Sequence, residues 1–165
     1  MLRLPTRLRR LCLVLPFVAA AATAAQAQGP ELVATPLPTG DYAVARDALV
    51  EAVEAKGLVL DPPSRFGEML KRTGPDLGMG ASVYEQAEVF HFCSARIAWT
   101  LAQEDPRNAA MCPLSIALYA LPPQPGKAPT VYATYRAPGD ATPGQRQAEA
   151  LLRAIVADIQ ANAAP

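Results

Sequence analysis

Ala87-Glu88-Val89-Phe90-His91-Phe92-Cys93 runs directly into Ser94-Ala95-Arg96-Ile97-Ala98-Trp99-Thr100-Leu101, and the hydrophobic period changes from two to 3.6 at the junction. The first stretch is rich in aromatic and β-branched residues, so it reads as a strand. Alternation puts Val89, His91 and Cys93 on one face and Glu88, Phe90 and Phe92 on the other, and neither face is plainly wet. Ser94 stands at an N-cap position for a helix over Ala95 to Gln103. Ile97, Ala98 and Leu101 face inward, and Glu104-Asp105-Pro106 ends the element.

Working outward toward the C-terminus, Leu114 to Leu121 and Thr130 to Arg136 read as two strands. Pro122 to Pro129 lies between them, and its four prolines cannot continue a ladder, so the strands pair as a hairpin with a long loop. Thr142, Pro143 and Gln145 form a capping box with proline at the first helical position. The helix they open carries a stripe of Ala148, Leu151, Leu152, Ile155, Val156 and Ile159, which needs an apolar partner such as one face of the sheet. Toward the N-terminus, Asp41 caps a helix whose apolar set is Ala45, Ala48, Leu49, Ala52 and Val53. Lys56 is expected to meet its last carbonyls, and Gly57 to stop it. Leu58-Val59-Leu60 reads as a short strand halted by Asp61-Pro62-Pro63, and Arg65 to Lys71 as a short helix. A loop around Gly74, Gly78 and Gly80 follows, while Glu31 to Thr35 is a candidate edge strand. These elements predict an α+β two-layer sandwich, a mainly antiparallel sheet covered by helices.

The beginning of the chain reads differently. Arg3, Arg7, Arg9 and Arg10 precede an uncharged apolar run from Leu11 to Ala22, and Ala25-Gln26-Ala27 follows as a small-x-small cleavage site. That run falls short of the roughly 20 residues that span a bilayer, so the expectation is an export signal cut after Ala27. The expected division is a signal over 1–27, an extended lead-in over 28–40 and one domain over 41–165, in the periplasm or secreted. Loss of the four arginines leaves 11 basic residues against 15 acidic ones, a formal charge of minus 4. Nucleic acid and, after cleavage, a membrane surface are therefore not expected partners.

The middle segment resembles a known family. Tyr84 to Cys93, Ser94-Ala95-Arg96-Ile97-Ala98, Asp105-Pro106, and Met111-Cys112-Pro113 leading into Ser115-Ile116-Ala117-Leu118-Tyr119 are similar to the domain of unknown function 302 family, over roughly Asp41 to Pro138. The resemblance implies a TATA-binding-protein-like sandwich, often a homodimer, with no established activity and no catalytic residue to carry over. Many members place a Cys after the Pro of this motif, where this chain has Leu114; here Cys112 precedes Pro113, a pattern that looks like an exported branch.

Cysteines carry most of the remaining chemistry. Signal cleavage removes Cys12 and leaves Cys93 and Cys112 as one pair in an oxidising compartment, with 18 residues between them. Strand end, helix and strand start can bring two Cα atoms within the ~6 Å a disulfide demands, so a structural bridge is the first reading. No Cys-x-x-Cys spacing is present to depress a thiolate pKa, which weakens a redox-active pair. His91, Cys93, Met111 and Cys112 also form a soft donor set suited to copper or haem, against the simpler reading of His91 as a satisfied strand-edge side chain and Met111 as core filler. No metal or other cofactor is expected.

Catalytic templates fit poorly. With His91 the one histidine, every Ser-His or Cys-His arrangement must use it, and none of Ser64, Ser82, Ser94 or Ser115 stands in a Gly-x-Ser-x-Gly elbow. Gly74 to Gly80 matches no phosphate-binding pattern, and Glu85 and Glu88 fall on opposite faces of a strand. Tyr119 and Tyr132 should face each other across the hairpin, more as sheet stabilisers than as a ligand platform, while Trp99 and Tyr135 invite the same question. Two readings follow. The favoured one is a non-catalytic module that binds a small molecule or a protein, with the disulfide purely structural. The alternative is a periplasmic thiol-redox or copper- or haem-handling protein using Cys93, Cys112 and His91 directly.

Overall fold

The computed structural model describes residues 31–164. The export signal read over 1–27, with Cys12 and Ala25-Gln26-Ala27, lies outside the described residues. Strand β1 (Leu32–Pro36) leads into helix α1 (Tyr42–Ala55), and α2 (Phe66–Thr73) follows. After a short 3-10 turn come β2 (Gln86–Phe92), α3 (Ala95–Glu104) and a second 3-10 turn over Pro106–Met111. The chain closes with β3 (Leu114–Ala120), β4 (Val131–Arg136) and α4 (Pro143–Asn162).

Four strands form one antiparallel sheet in the order β1-β4-β3-β2. The α+β sandwich expected from the sequence is the fold observed. Its helices follow their local signals. Asp41 accepts from the backbone N–H of Ala43 and Val44 at the start of α1, and Gly57 takes a φ of 71° just past its end. At α4 the capping box is complete in both directions, with Pro143 in the first turn. Glu104, at the end of α3, adds a second tie by accepting from Thr142 Oγ1 at 2.6 Å and the Gly144 N–H at 2.7 Å. A carboxylate there meets both the free donors and the positive end of the α4 dipole.

The core lies on one side of the sheet. Phe90 and Phe92 of β2, Ile116 and Leu118 of β3, and Ala133 and Tyr135 of β4 are buried against helix residues in a single cluster. Leu49 and Val53 of α1, Leu101 of α3, and Leu152, Ile155 and Ile159 of α4 supply the other side of it. The α4 stripe is buried as expected apart from Leu151, which is half-buried, but its helical neighbours are α1 and α3 as well as the sheet beneath. The opposite sheet face holds Ala34, Thr134, Ala117 and Val89 in one row across the strands, half-buried or exposed.

Several local expectations are corrected. Leu58-Val59-Leu60 is not a strand: it runs past the outer edge of β2 and touches it through isolated bridges at Leu60↔Phe92 and Ser64↔Val89. Pro62 and Pro63 lie between those points and supply no N–H, so no ladder forms. Lys56 meets the last carbonyls of its own helix through its backbone N–H, which donates to Val53 O at 3.1 Å, while its ammonium pairs with Asp158 of α4 at 2.7 Å. Ser94 has the extended backbone of an N-cap but makes no side-chain cap bond. The candidate edge strand in the extended lead-in is present as β1 at the edge of the sheet, and Leu37 just beyond it joins the core.

One glycine decides how α2 sits. A Cβ added at Gly67 would lie 2.9 Å from the Ala87 backbone nitrogen and 3.3 Å from its oxygen, so α2 rests directly on the main chain of β2. Gly→Ala inside a helix ordinarily stabilises by roughly 1 kcal/mol. At this position the sign reverses: Gly67→Ala is expected to destabilise by about 1–3 kcal/mol, because strand backbone cannot yield as a side chain does. A denaturant midpoint at or above wild type would refute this.

Candidate functional site

The cysteines occupy a corner made by strand pairing. Phe92 and Leu114 are opposite one another at the end of the β2–β3 ladder, which places Cys93, just past β2, beside Cys112, just ahead of β3. The turn that returns the chain is held by Asp105, which accepts from the Arg107 backbone N–H at 2.9 Å and pairs with the Arg107 guanidinium. That guanidinium holds the Asp105 carboxyl below its ordinary pKa. Asn108 Nδ2 donates to Leu101 O at 3.0 Å, binding the turn to α3. The result is a Cys93 Sγ to Cys112 Sγ distance of 3.1 Å, as two free thiols. Cys93 is exposed and Cys112 half-buried, and the peptide bond between Cys112 and Pro113 is cis. Burial, then the hydrogen bond and charge of Cys93, push the Cys112 thiol up to about 11.

The rest of the soft donor set does not assemble around that corner. Among the described residues no three His, Cys, Asp or Glu side chains gather as metal ligands, so His91 does not complete a centre with the two sulfurs. His91 pairs with Ser115 in the ladder, and its carbonyl accepts from the Asp61 N–H at 3.0 Å. Met111 packs against the core.

Aromatic residues divide between two roles. Tyr119 and Tyr132 face each other as expected and stack at 5.0 Å with planes 11° apart. Tyr84 meets Tyr119 edge-on at 5.6 Å, and Phe66 meets Tyr84 at 5.9 Å, so the row clamps α2 and the strands together. Tyr135 lies on the core face and donates to Glu149 Oε1 at 2.9 Å, and burial and that contact push its hydroxyl up to about 12. Trp99 stands apart on α3, 70% exposed.

A polar cavity of about 510 Å³ lies between the start of α1, α2 and β2. Its charges are largely engaged with one another. Arg46 pairs with Glu88 at 3.3 Å, Tyr42 donates to Leu118 O and Glu88, and Lys71 donates to Glu85 O at 2.7 Å. Burial and Glu88 raise the Tyr42 pKa well above the ordinary phenol value, so it remains a hydrogen-bond donor. This is a set of ties between layers.

A second cavity has a different character. The ladder between β3 and β4 runs from Ala120↔Val131 to Ala117↔Thr134 and stops, although β3 extends back to Leu114 and β4 on to Arg136. Where the two central strands part, a cavity of about 480 Å³ opens. Val89, Met111, Leu114, Ala117 and Leu152 give it apolar walls, and Ser115, Thr134 and Arg136 add polar groups. Arg136 is the only charged residue in the lining, and among the described residues it has no ion-pair partner. Sequence reasoning read these strands as a plain hairpin and missed the cleft. The available signal was Pro113 ahead of one strand and Pro138 beyond the other, two residues that cannot donate to a ladder at that end.

A four-stranded antiparallel sheet with α1, α3 and α4 over one face, α2 resting on β2, and a half-apolar cleft between its central strands defines an α+β sandwich. No family model and no curated protein matches the chain. Among solved structures, the chain is similar in fold to an uncharacterised conserved DUF302 protein from Bacillus stearothermophilus, with a TM-score of 0.51 and 16% sequence identity. The likeness covers 80% of this chain and 91% of that one. This is a likeness of fold, to a protein of the family that the motifs around Cys93 and Cys112 resemble.

Proposed function

We propose that the chain is an exported, non-catalytic binding module of the DUF302 type, with a small ligand held in the β3–β4 cleft and the Cys93–Cys112 corner closed as a structural disulfide. The cleft carries the reading. At about 480 Å³ it falls, like other cavities of the molecule, within the range of about 300–1,000 Å³ usual for small-molecule sites, and it is set apart by a single charged side chain, Arg136, with no ion-pair partner among the described residues. Support for a structural bridge comes from two sulfurs 3.1 Å apart. The thiol-redox alternative shares that proximity and lacks a Cys-x-x-Cys spacing, and copper or haem handling lacks a group of three His, Cys, Asp or Glu ligands among the described residues. Assembly as a homodimer, implied by the family resemblance, has one feature in its favour: the sheet face carrying Ala34, Thr134, Ala117 and Val89 is left largely uncovered by helices.

N-phenyl-1-naphthylamine, a neutral apolar fluorophore, provides the test. Ala117 lines the cleft from β3, and a phenyl group there fills the space without adding charge. Wild type is expected to bind the dye, and Ala117→Phe to weaken binding at least tenfold while melting within a few degrees of wild type. Equal dye binding by a folded Ala117→Phe variant overturns the assignment.

A further inference from the structure

We infer that the cleft between β3 and β4 is selective for an aliphatic monocarboxylate, with its chain against Leu32, Val89, Met111 and Ala117 and its carboxylate on Arg136. The inference rests on the proposed ligand site and adds the chemistry of what fills it. Charge in the lining is of one sign only, because Arg136 is its sole ionisable side chain apart from the Tyr135 phenol. That phenol is occupied, donating to Glu149 Oε1, which also holds Arg153 at 2.6 Å, while Glu149 Oε2 is buried without a partner. Thr134 is also committed, donating to Val33 O at 2.9 Å. Arg136 and Ser115 are left without a side-chain hydrogen bond among the described residues, at positions that would face each other had the ladder continued past Ala117↔Thr134.

A guanidinium offers two parallel N–H donors that match a carboxylate, and a neighbouring hydroxyl can donate to the same group. Alcohols offer the guanidinium no charge. Amines meet it with like charge. The walls set the other half of the selectivity: with no polar side chain beyond Ser115, Thr134 and Tyr135, the recess accepts methylene groups and leaves a second polar end of the ligand unsatisfied. A ligand with one anionic end and an alkyl body fits both constraints, whereas a dicarboxylate fits only the first and a sugar fits neither.

Competition against bound N-phenyl-1-naphthylamine tests this with two ligands of equal length, octanoate and 1-octanol, at low salt and neutral pH. Octanoate is expected to displace the dye at a concentration at least tenfold lower than 1-octanol, although the alcohol is the more hydrophobic of the two. Arg136→Gln should abolish the difference by weakening octanoate alone, Arg136→Lys should restore part of it, and 1-octanol should be insensitive to both. Arg136 is exposed, so these variants are expected to fold. If wild type binds dye but octanol competes as well as octanoate, the carboxylate inference is overturned and the ligand site stands. If octanoate keeps its advantage in Arg136→Gln, the inference also falls. If no dye binds at all, the ligand site itself is lost.

Discussion

In protein refolded under oxidising conditions, Cys93→Ser is expected to lower the free energy of unfolding by about 3 kcal/mol, and Cys112→Ser by the same amount. The magnitude follows from the unfolded chain. A bond between these positions closes a loop of 18 intervening residues and removes the conformations in which its ends are apart. Little distortion is needed to form it, since the sulfurs already lie 3.1 Å apart. Three features separate this from an ordinary packing loss. The double variant should be no less stable than either single one, because all three lose the same link. Reduction should bring wild type down to the level of the variants. Thiol titration of the unreduced, denatured protein should find neither cysteine free. Urea unfolding with and without reductant measures the first two, and oxidised and reduced wild type with the same midpoint would remove the structural role of the pair. A stability usually near 5–15 kcal/mol makes a loss of this size easy to see.

Phe90→Ala is expected to cost about 3–5 kcal/mol, the largest effect of any single substitution considered. Phe90 is 1% exposed and sits in the centre of β2, where both the α1 side of the core and the β3 residue Ile116 close around it. Truncation removes its transfer free energy and leaves a cavity that strand backbone on both sides cannot collapse to fill. Arg46 lies over the ring at 5.9 Å, so its stem also loses a surface to cover. Trp99→Ala makes the contrast. It deletes a larger side chain, but one 70% exposed on α3, and should change stability by less than about 0.5 kcal/mol. Comparable losses at the two positions would mean that the core is not where the structure puts it.

Legibility tracked how local the determining interaction is. The ends of α1 and α4 could be read directly, because Asp41, Gly57, Thr142 and Gln145 act on backbone groups a few residues away. The face assignment of β2 was readable in part: alternation separated Phe90 and Phe92 from Val89 and His91, but only the packing showed which set is buried. Leu58 to Leu60 misled because three apolar residues look alike whether they join a ladder or merely graze one. The cysteine corner depended on β2 and β3 being neighbours, a property of the whole sheet that no spacing encodes. The cleft was least accessible. It arises because two paired strands stop pairing part-way, and Leu114, Ser115, Tyr135 and Arg136 look like ordinary ladder residues in one dimension.

Strand β1 finds its neighbour β4 about a hundred positions further along, with Leu32 opposite Arg136, and α1 packs on α4. Closure of the fold is thus postponed until nearly the whole polypeptide has been synthesised, since no shorter N-terminal fragment contains the partner of its first strand. Such non-local pairing is slow to form. A nascent chain with this layout holds its first described strand without a partner until β4 has been made.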